Sequence, residues 1–273
     1  MVTDLSPPPV RTERFPLLPR PLQVQRVQRV TPRLVRVTFG GDSLASFQTL
    51  SPQDHVKLLV PAGEAPLVMP VATENGVQFP PGFDRAGMRD YTPRRFDATT
   101  RELDIDIVLH GRGRVSTWAE RAQTGDAAGI LGPRGSHIVE PVFAWYLLIG
   151  DETALPTIAR WLEELPAGAH AIALIEVADA AEEQALQSAV EAHIRWVHRA
   201  GHTGRPDLLL TALRELALPD GDGFVWAGGE AGALTPIRRH LLQERALPRE
   251  RVEVSGHWKR GVPDWDHHEE IPE

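Results

Sequence analysis

The chain has 273 residues, 42% of them hydrophobic and 24% charged, with a net charge of -8 and no cysteine. The missing cysteines exclude disulfides, dithiol redox centres and cysteine-ligated iron–sulfur clusters, so any redox chemistry must come from a bound cofactor. The acidic balance, with an isoelectric point near 5.8, argues against a general nucleic-acid binder, which presents a basic face.

The opening MVTDLSPPPVRTERFPLLPR lacks the apolar core of a secretory signal, and no later stretch approaches a membrane span. A soluble cytoplasmic protein without membrane insertion is therefore expected, with a monomer as the default. Of the 29 basic residues only Lys57 and Lys259 are lysines. Composition bias accounts for that more simply than phosphate recognition does.

Residues 1–21 are rich in proline and bury nothing periodically, and read as an extended or disordered arm. LQVQRVQRV, RLVRVTFGG and DHVKLLVP then alternate apolar and polar residues between Gly, Pro, Asp and Ser, as antiparallel strands do; MRDYTPRRF and RELDIDIVLHG continue that style. After about residue 142 the pattern changes. WYLLIG is a continuous apolar run ending in Gly, followed by the amphipathic ALPTIARWLEEL. AIALIEV, HIRWVHR and GFVWAGG repeat the strand type between helical stretches such as PDLLLTALREL and LTPIRRHLLQERAL. The expected fold is therefore a β domain, an antiparallel barrel or sandwich over 22–142, followed by an α/β parallel-sheet domain over 143–261, with an acidic tail over 262–273.

Three places could hold a ligand. In MRDYTPRRFD, Arg89 and Tyr91 share one strand face, and Thr92 can turn a hydroxyl toward the same side. A cation, an aromatic plane and a hydroxyl suit a flavin dinucleotide, whereas a surface strand with Tyr packed on Arg is the plain alternative. In VLHGRGRVSTWAERAQTGD a strand that includes Val108 ends at His110, a Gly-rich turn with Gly113 follows, and Ser116 and Thr117, after Val115, open a short helix. Its amides suit a pyrophosphate, while Ser116 could equally be an ordinary cap. In LLIGDETALPTIARWL, Asp151 to Thr153 lie between a buried strand and a helix with Pro156 in its first turn, a dinucleotide edge that lacks the G-x-G-x-x-G signature. His267 and His268 in DWDHHEE invite a metal reading, but histidines flanked by acids at a chain end fit a solvated tail, and no metal is assigned.

In sequence order, RDYTPRRFD, DIVLHGRGRVSTWAERAQTGD, LLIGDETALPTIARWLEELP, IEVADAAEEQ and WAGGEAGALTPIRRHLLQERALPRERVEVSGHWKRG resemble the siderophore-interacting flavoproteins of the ferredoxin-reductase-like superfamily. The likeness runs from about Leu22 to Gly261. It implies a six-stranded FAD-binding barrel, with Arg89, Tyr91 and Thr92 around pyrophosphate and flavin ring. Val108, His110, Gly113, Val115, Ser116 and Thr117 would lie along the phosphates and adenosine. It further implies that NADH or NADPH docks on the second domain between GDETALP, with Asp151 and Thr153, and AGGEAGA, with Glu230 toward the ribose. Trp258 would cover the flavin or nicotinamide face, with a buried core tryptophan as the alternative. His257 stands where the family usually has tyrosine before the tryptophan and its basic pair.

The implied activity is reduction of a ferric siderophore, an anionic iron chelate, by hydride transfer to FAD and single-electron transfer to iron, with the residues named binding rather than catalysing. Lys57, Arg134, Lys259 and Arg260 would gather as basic groups at the substrate mouth. On nucleotide choice, Glu176 and Asp179 after the second strand of the α/β domain lean toward NADH, while Arg195, His198, Arg199 and Arg205 could reach a 2′-phosphate. The alternatives in other classes are a flavin reductase with a protein or free-flavin acceptor, and a colourless siderophore-binding protein.

Overall fold

The computed structural model describes residues 10–200, 207–262, 265 and 271. The strands are β1 (Val10–Arg14), β2 (Pro19–Thr31), β3 (Leu34–Gly40), β4 (Val56–Leu59), β5 (Val71–Thr73), β6 (Gly76–Gln78), β7 (Met88–Tyr91) and β8 (Arg95–Asp97), followed by β9 (Glu102–Val108), β10 (Ala127–Leu131) and β11 (Gly135–Val139). A short helix α1 (Arg114–Ala119) lies between β9 and β10. Seven strands form one antiparallel sheet in the order β7-β4-β10-β2-β3-β9-β8. Its two outer members, β7 and β8, are separated only by Thr92 to Arg94 and are halves of a single stretch. One half pairs with β4 and the other with β9, so the ring closes as six strands, one of them broken. Closure removes the exposed sheet edges.

Alternation explains the barrel. In β9, Leu103, Ile105 and Ile107 point into a core shared with Val24, Val37, Phe39, Leu58 and Ile130. Asp104 and Asp106, in between, are also buried and are matched by neighbours: Asp104 accepts from the Thr38 hydroxyl at 2.6 Å, and Asp106 accepts two bonds from Arg36 at 2.6 and 2.8 Å. Within the region read as an arm, β1 pairs with β11, and β2 begins at Pro19. The β5–β6 hairpin and the segments beside it cover a satellite cluster of Leu59, Met88 and Leu131.

The second half holds a parallel sheet of β12 (Trp145–Gly150), β13 (His170–Val177), β14 (Glu191–His198), β15 (Gly223–Glu230) and β16 (Val252–Trp258), in the order β14-β13-β12-β15-β16. Helices α2 (Leu155–Glu164), α3 (Leu208–Arg214) and α4 (Ala231–Arg239) cover its two faces, so all six residues of β12 are buried. The strand order reverses between β12 and β15. In such sheets ligands bind in the crevice outside the carboxyl ends of the strands at this reversal, here Gly150–Asp151 and Gly228–Glu230. Among the described residues no helix is long and apolar enough to cross a membrane.

Candidate functional site at the broken strand and the sheet switch point

The stretch read as one strand, 88 to 97, breaks where the two domains meet. Pro93 has no N–H for a ladder, which suits it to the break. Its carbonyl accepts from Arg160 Nη1 of α2 at 3.1 Å, the Thr92 hydroxyl lies 3.0 Å from that of Thr157, and Arg94 grips Glu163 through two bonds of 2.9 and 2.5 Å. Three side chains of α2, one turn or less apart, thus hold three consecutive residues of the barrel. Arg160, only 5% exposed, also donates to Thr49 Oγ1 at 3.0 Å. The Thr49 hydroxyl in turn donates to Asp54, whose carboxyl burial pushes above its ordinary range although Ser136 and Thr49 bond it.

Immediately before the break, Arg89 is half-buried and donates to the carbonyls of Arg85 and Met88 at 3.1 and 2.8 Å. Tyr91 packs on the barrel core, and burial raises its hydroxyl above the ordinary value, so it remains protonated at neutral pH. The turn leading into this strand touches α1: a Cβ on Gly87 would meet the Arg114 guanidinium at 2.8 Å. The turn before Arg89 therefore lies against Arg114 at the start of α1.

At α1 the plain reading of Ser116 as the helix cap does not hold. The cap position is Gly113, with no side-chain cap, and Ser116 Oγ instead accepts from the His110 amide at 3.0 Å, while Thr117 Oγ1 donates to the Gly113 carbonyl at 2.8 Å. Gly111 and Gly113 have φ of 69° and 71°, and nothing lies within 4 Å of a Cβ built on Gly111. At Gly113 the His110 ring is 3.7 Å from a built Cβ, and the glycines add no side chain of their own at the helix start. Val108 is half-buried at the end of β9, and Val115 is 3% exposed in the barrel core, so Val115 can offer a ligand only its backbone. His110 is held below its ordinary pKa by burial and by Arg112.

In the crevice of the second domain Asp151, 6% exposed, ties three segments together. One oxygen accepts from Thr153 N and Oγ1 at 2.8 and 2.6 Å, and the other from Glu230 N at 3.0 Å and Trp258 Nε1 at 2.9 Å. Asp151, at the edge read as a dinucleotide site before α2, does not cap that helix, whose cap is Ala154. Gly229, at φ 138°, approaches so closely that a Cβ would lie 2.7 Å from the Asp151 carboxylate. Glu230 caps α4 through Ala233 N at 2.7 Å and accepts from Arg260 N at 3.0 Å. Thr153 Oγ1 also lies 3.2 Å from His257 Nδ1, so histidine in place of the usual tyrosine joins the same cluster. Trp258 is 38% exposed, fixed at its N–H and open on its ring.

Lys259 and Arg260 follow Trp258 and are exposed. The barrel cations differ. Lys57 faces Asp90 across β4 and β7, with 2.9 and 2.8 Å contacts to its two oxygens, and Arg134 is exposed on the link from β10 to β11, its carbonyl accepting from Phe15 N at 2.8 Å. Of the possible 2′-phosphate partners, Arg195 pairs with Glu215, His198 with Glu183, and Arg199 with Glu152 and Glu176, while Arg205 lies outside the described residues. His267 and His268 also lie outside them. No group of three or more His, Asp or Glu residues is placed to hold a metal among the described residues.

The donor set suits FAD: an arginine on the strand that follows the turn against α1 and helix amides without a side-chain cap for a pyrophosphate, a half-buried aromatic for a ring, and open space at Gly111. Arg160, Thr157 and Glu163 were missed in the sequence because they look like ordinary positions of an amphipathic helix. No local signal marks them.

A barrel joined to a parallel sheet with this crevice is the architecture of the ferredoxin-reductase-like flavoproteins. Residues 23–137 match the siderophore-interacting FAD-binding domain and residues 143–261 the siderophore-interacting protein family, and the chain belongs to that family. It is 34% identical over 242 residues to the NADPH-dependent ferric-chelate reductase of Escherichia coli K12, covering 88% of this chain and 92% of that one. It is 32% identical over 257 residues to the ferric vibriobactin reductase of Vibrio cholerae, covering 92% and 93%. A siderophore utilization protein from T. fusca, solved by crystallography, superposes with a TM-score of 0.87 at 48% identity, covering 95% of this chain and 99% of that one.

Proposed function

We propose that the protein is an FAD-dependent reductase that takes reducing equivalents from NADH or NADPH and passes them to a ferric siderophore, releasing iron in the cytoplasm. The observation that carries this reading is the clamp of α2 on Thr92 to Arg94. It fixes the nucleotide-binding crevice against the strand that would hold the flavin, and hydride transfer needs the two in contact. The names of the E. coli and V. cholerae relatives support the acceptor.

When bound, FAD accepts two electrons as hydride and releases them singly, which matches a nicotinamide donor to a one-electron ferric acceptor. The protein holds and screens. Residues 22–142 take the flavin: Arg89 and the α1 amides neutralise its pyrophosphate, the backbone from Val108 to Val115 lines its phosphates, and Tyr91 and Thr92 border its ring. Residues 143–261 take the nicotinamide nucleotide between Asp151–Thr153 and Glu230. Asp151 fixes the Trp258 indole, so its exposed ring can cover the reacting face. Lys259 and Arg260, with Lys57 and Arg134 from the barrel, draw the anionic ferric complex to the mouth. Reduction weakens the hold of hard oxygen ligands on the iron, so the chain needs no permanent metal site.

The test is oxidation of NADH or NADPH that depends on an added ferric catecholate, with Fe(II) captured by a coloured ferrous chelator. Nucleotide oxidation without trapped Fe(II) would show a different acceptor. A colourless preparation that binds the chelate would show a carrier.

A further inference from the structure

The carboxyl ends of three neighbouring strands meet in one compact ion cluster. Glu152 follows β12, Glu176 lies near the end of β13, and Arg199 directly follows β14, its amide bonded to the Val177 carbonyl at 3.0 Å. Arg199 Nη1 donates to Glu152 at 2.6 Å and to Glu176 at 3.1 Å, and its Nη2 makes a second contact with Glu152. All three side chains are largely buried, at 15%, 21% and 12% exposure for Arg199, Glu152 and Glu176.

The place is informative. In doubly wound sheets an acid about 20 residues beyond the first strand-to-helix turn bonds a free ribose 2′-hydroxyl, and a nearby arginine accommodates a 2′-phosphate instead. Glu176 stands at that acid's position, and Arg199 is the arginine within reach of it. Here the arginine is already spent on two carboxylates. The cluster therefore keeps a net negative charge, and a phosphate entering it would have to pull Arg199 away from both partners. Two other basic side chains on β14 are engaged in the same way, Arg195 by Glu215 at 2.6 Å and His198 by Glu183 at 2.7 Å. Asp179, the next acid along, caps a short helical turn through Ala181 N at 2.9 Å. Burial raises the Glu176 carboxyl above its ordinary range and Arg199 opposes that shift, so the acid is held by the same contact that occupies the arginine.

We propose that Glu152, Arg199 and Glu176 act together as the nucleotide-selecting element of this protein, admitting a nicotinamide nucleotide with a free ribose 2′-hydroxyl and rejecting one with a 2′-phosphate. The donor is then NADH, in contrast to the relative named NADPH-dependent. This rests on the reductase reading above.

The test uses the FAD-loaded protein and two unreactive probes, ADP-ribose and 2′-phospho-ADP-ribose, with affinities measured by titration calorimetry. ADP-ribose is expected to bind at least about tenfold more tightly, equivalent to about 1.4 kcal/mol. The gap should narrow as salt is added, since like-charge repulsion is screened. Glu152→Gln, which keeps the shape, removes one charge and loosens Arg199, should narrow it by about tenfold as well. Equal or tighter binding of the phosphorylated probe by the wild type, or a preference that does not respond to salt, would overturn the proposal even if Glu152→Gln failed to fold. Should neither probe bind and NADH fail to bleach the flavin, the reductase reading falls and the proposal with it. Bleaching by NADPH in preference to NADH would overturn the proposal alone.

Discussion

Replacing Arg160 by alanine should loosen the two domains at the point where the reaction is placed. The side chain is 5% exposed and donates to the Pro93 carbonyl at 3.1 Å, Thr49 Oγ1 at 3.0 Å and Glu164 at 2.7 Å. Glu164 is 42% exposed and regains water when the partner leaves, so that pair contributes little. The two remaining bonds are charge-assisted and sheltered, and each is worth about 1.5–3 kcal/mol. The summed loss is roughly 3–6 kcal/mol. At about 2–4 °C per kcal/mol for a chain approaching this size, the apparent Tm falls by roughly 6–24 °C. Both bonds come from one nitrogen, Nη1, and lysine keeps the charge but ends one bond short of it, so Arg160→Lys should recover about half of the loss. The assay is thermal unfolding followed at once by tryptophan emission and by flavin release, which should shift together. An Arg160→Ala protein that melts within about 2 °C of wild type with unchanged flavin occupancy would refute the reasoning.

Other expectations concern the ligands and pH. Arg89→Ala should lose FAD during gel filtration, because a charge-assisted pyrophosphate contact is removed; full occupancy by absorbance would sink that placement. The Lys259→Ala, Arg260→Ala pair should raise KM several-fold for an anionic ferric catecholate while sparing NAD(P)H oxidation with a neutral acceptor, and equal losses with both would assign those residues to the flavin or the fold. His137 on β11 is held above its ordinary pKa, chiefly by its 2.6 Å bond to Glu253 on β16. The stability it supplies is complete below about pH 6.5 and is lost as pH rises through the folded value. Apparent Tm should therefore fall more steeply from about pH 6 to about pH 8 in wild type than in His137→Gln, and parallel curves would exclude that contribution.

Much of the architecture is legible in short-range pattern. The alternation of Leu103, Ile105 and Ile107 with Asp104 and Asp106, and the unbroken apolar run of β12, each carry their own period, and the structure places them as a barrel strand and a covered parallel strand. Less legible is whatever depends on distant partners. The strand at 88–97 reads as continuous, and only its pairing with β4 on one side and β9 on the other shows that Pro93 divides it. Pairing of β1 with β11 joins residues more than a hundred positions apart and leaves no mark in a Pro-rich segment. Asp151 looks like an acid before a helix, yet its partners Glu230 and Trp258 arrive from the far end of the chain. Arg160 is the extreme case, a buried cation inside an amphipathic helix whose acceptors all but one belong to the other domain.

The central claim is an electron path from nucleotide through flavin to iron. It is tested most directly by an anaerobic visible spectrum of the purified protein, recorded alone, after NADH or NADPH, and again after a ferric catecholate siderophore. The account predicts flavin bands that bleach with nucleotide and return with the ferric complex as an Fe(II) trap colours. Flavin that bleaches and stays bleached in the presence of the complex would contradict it.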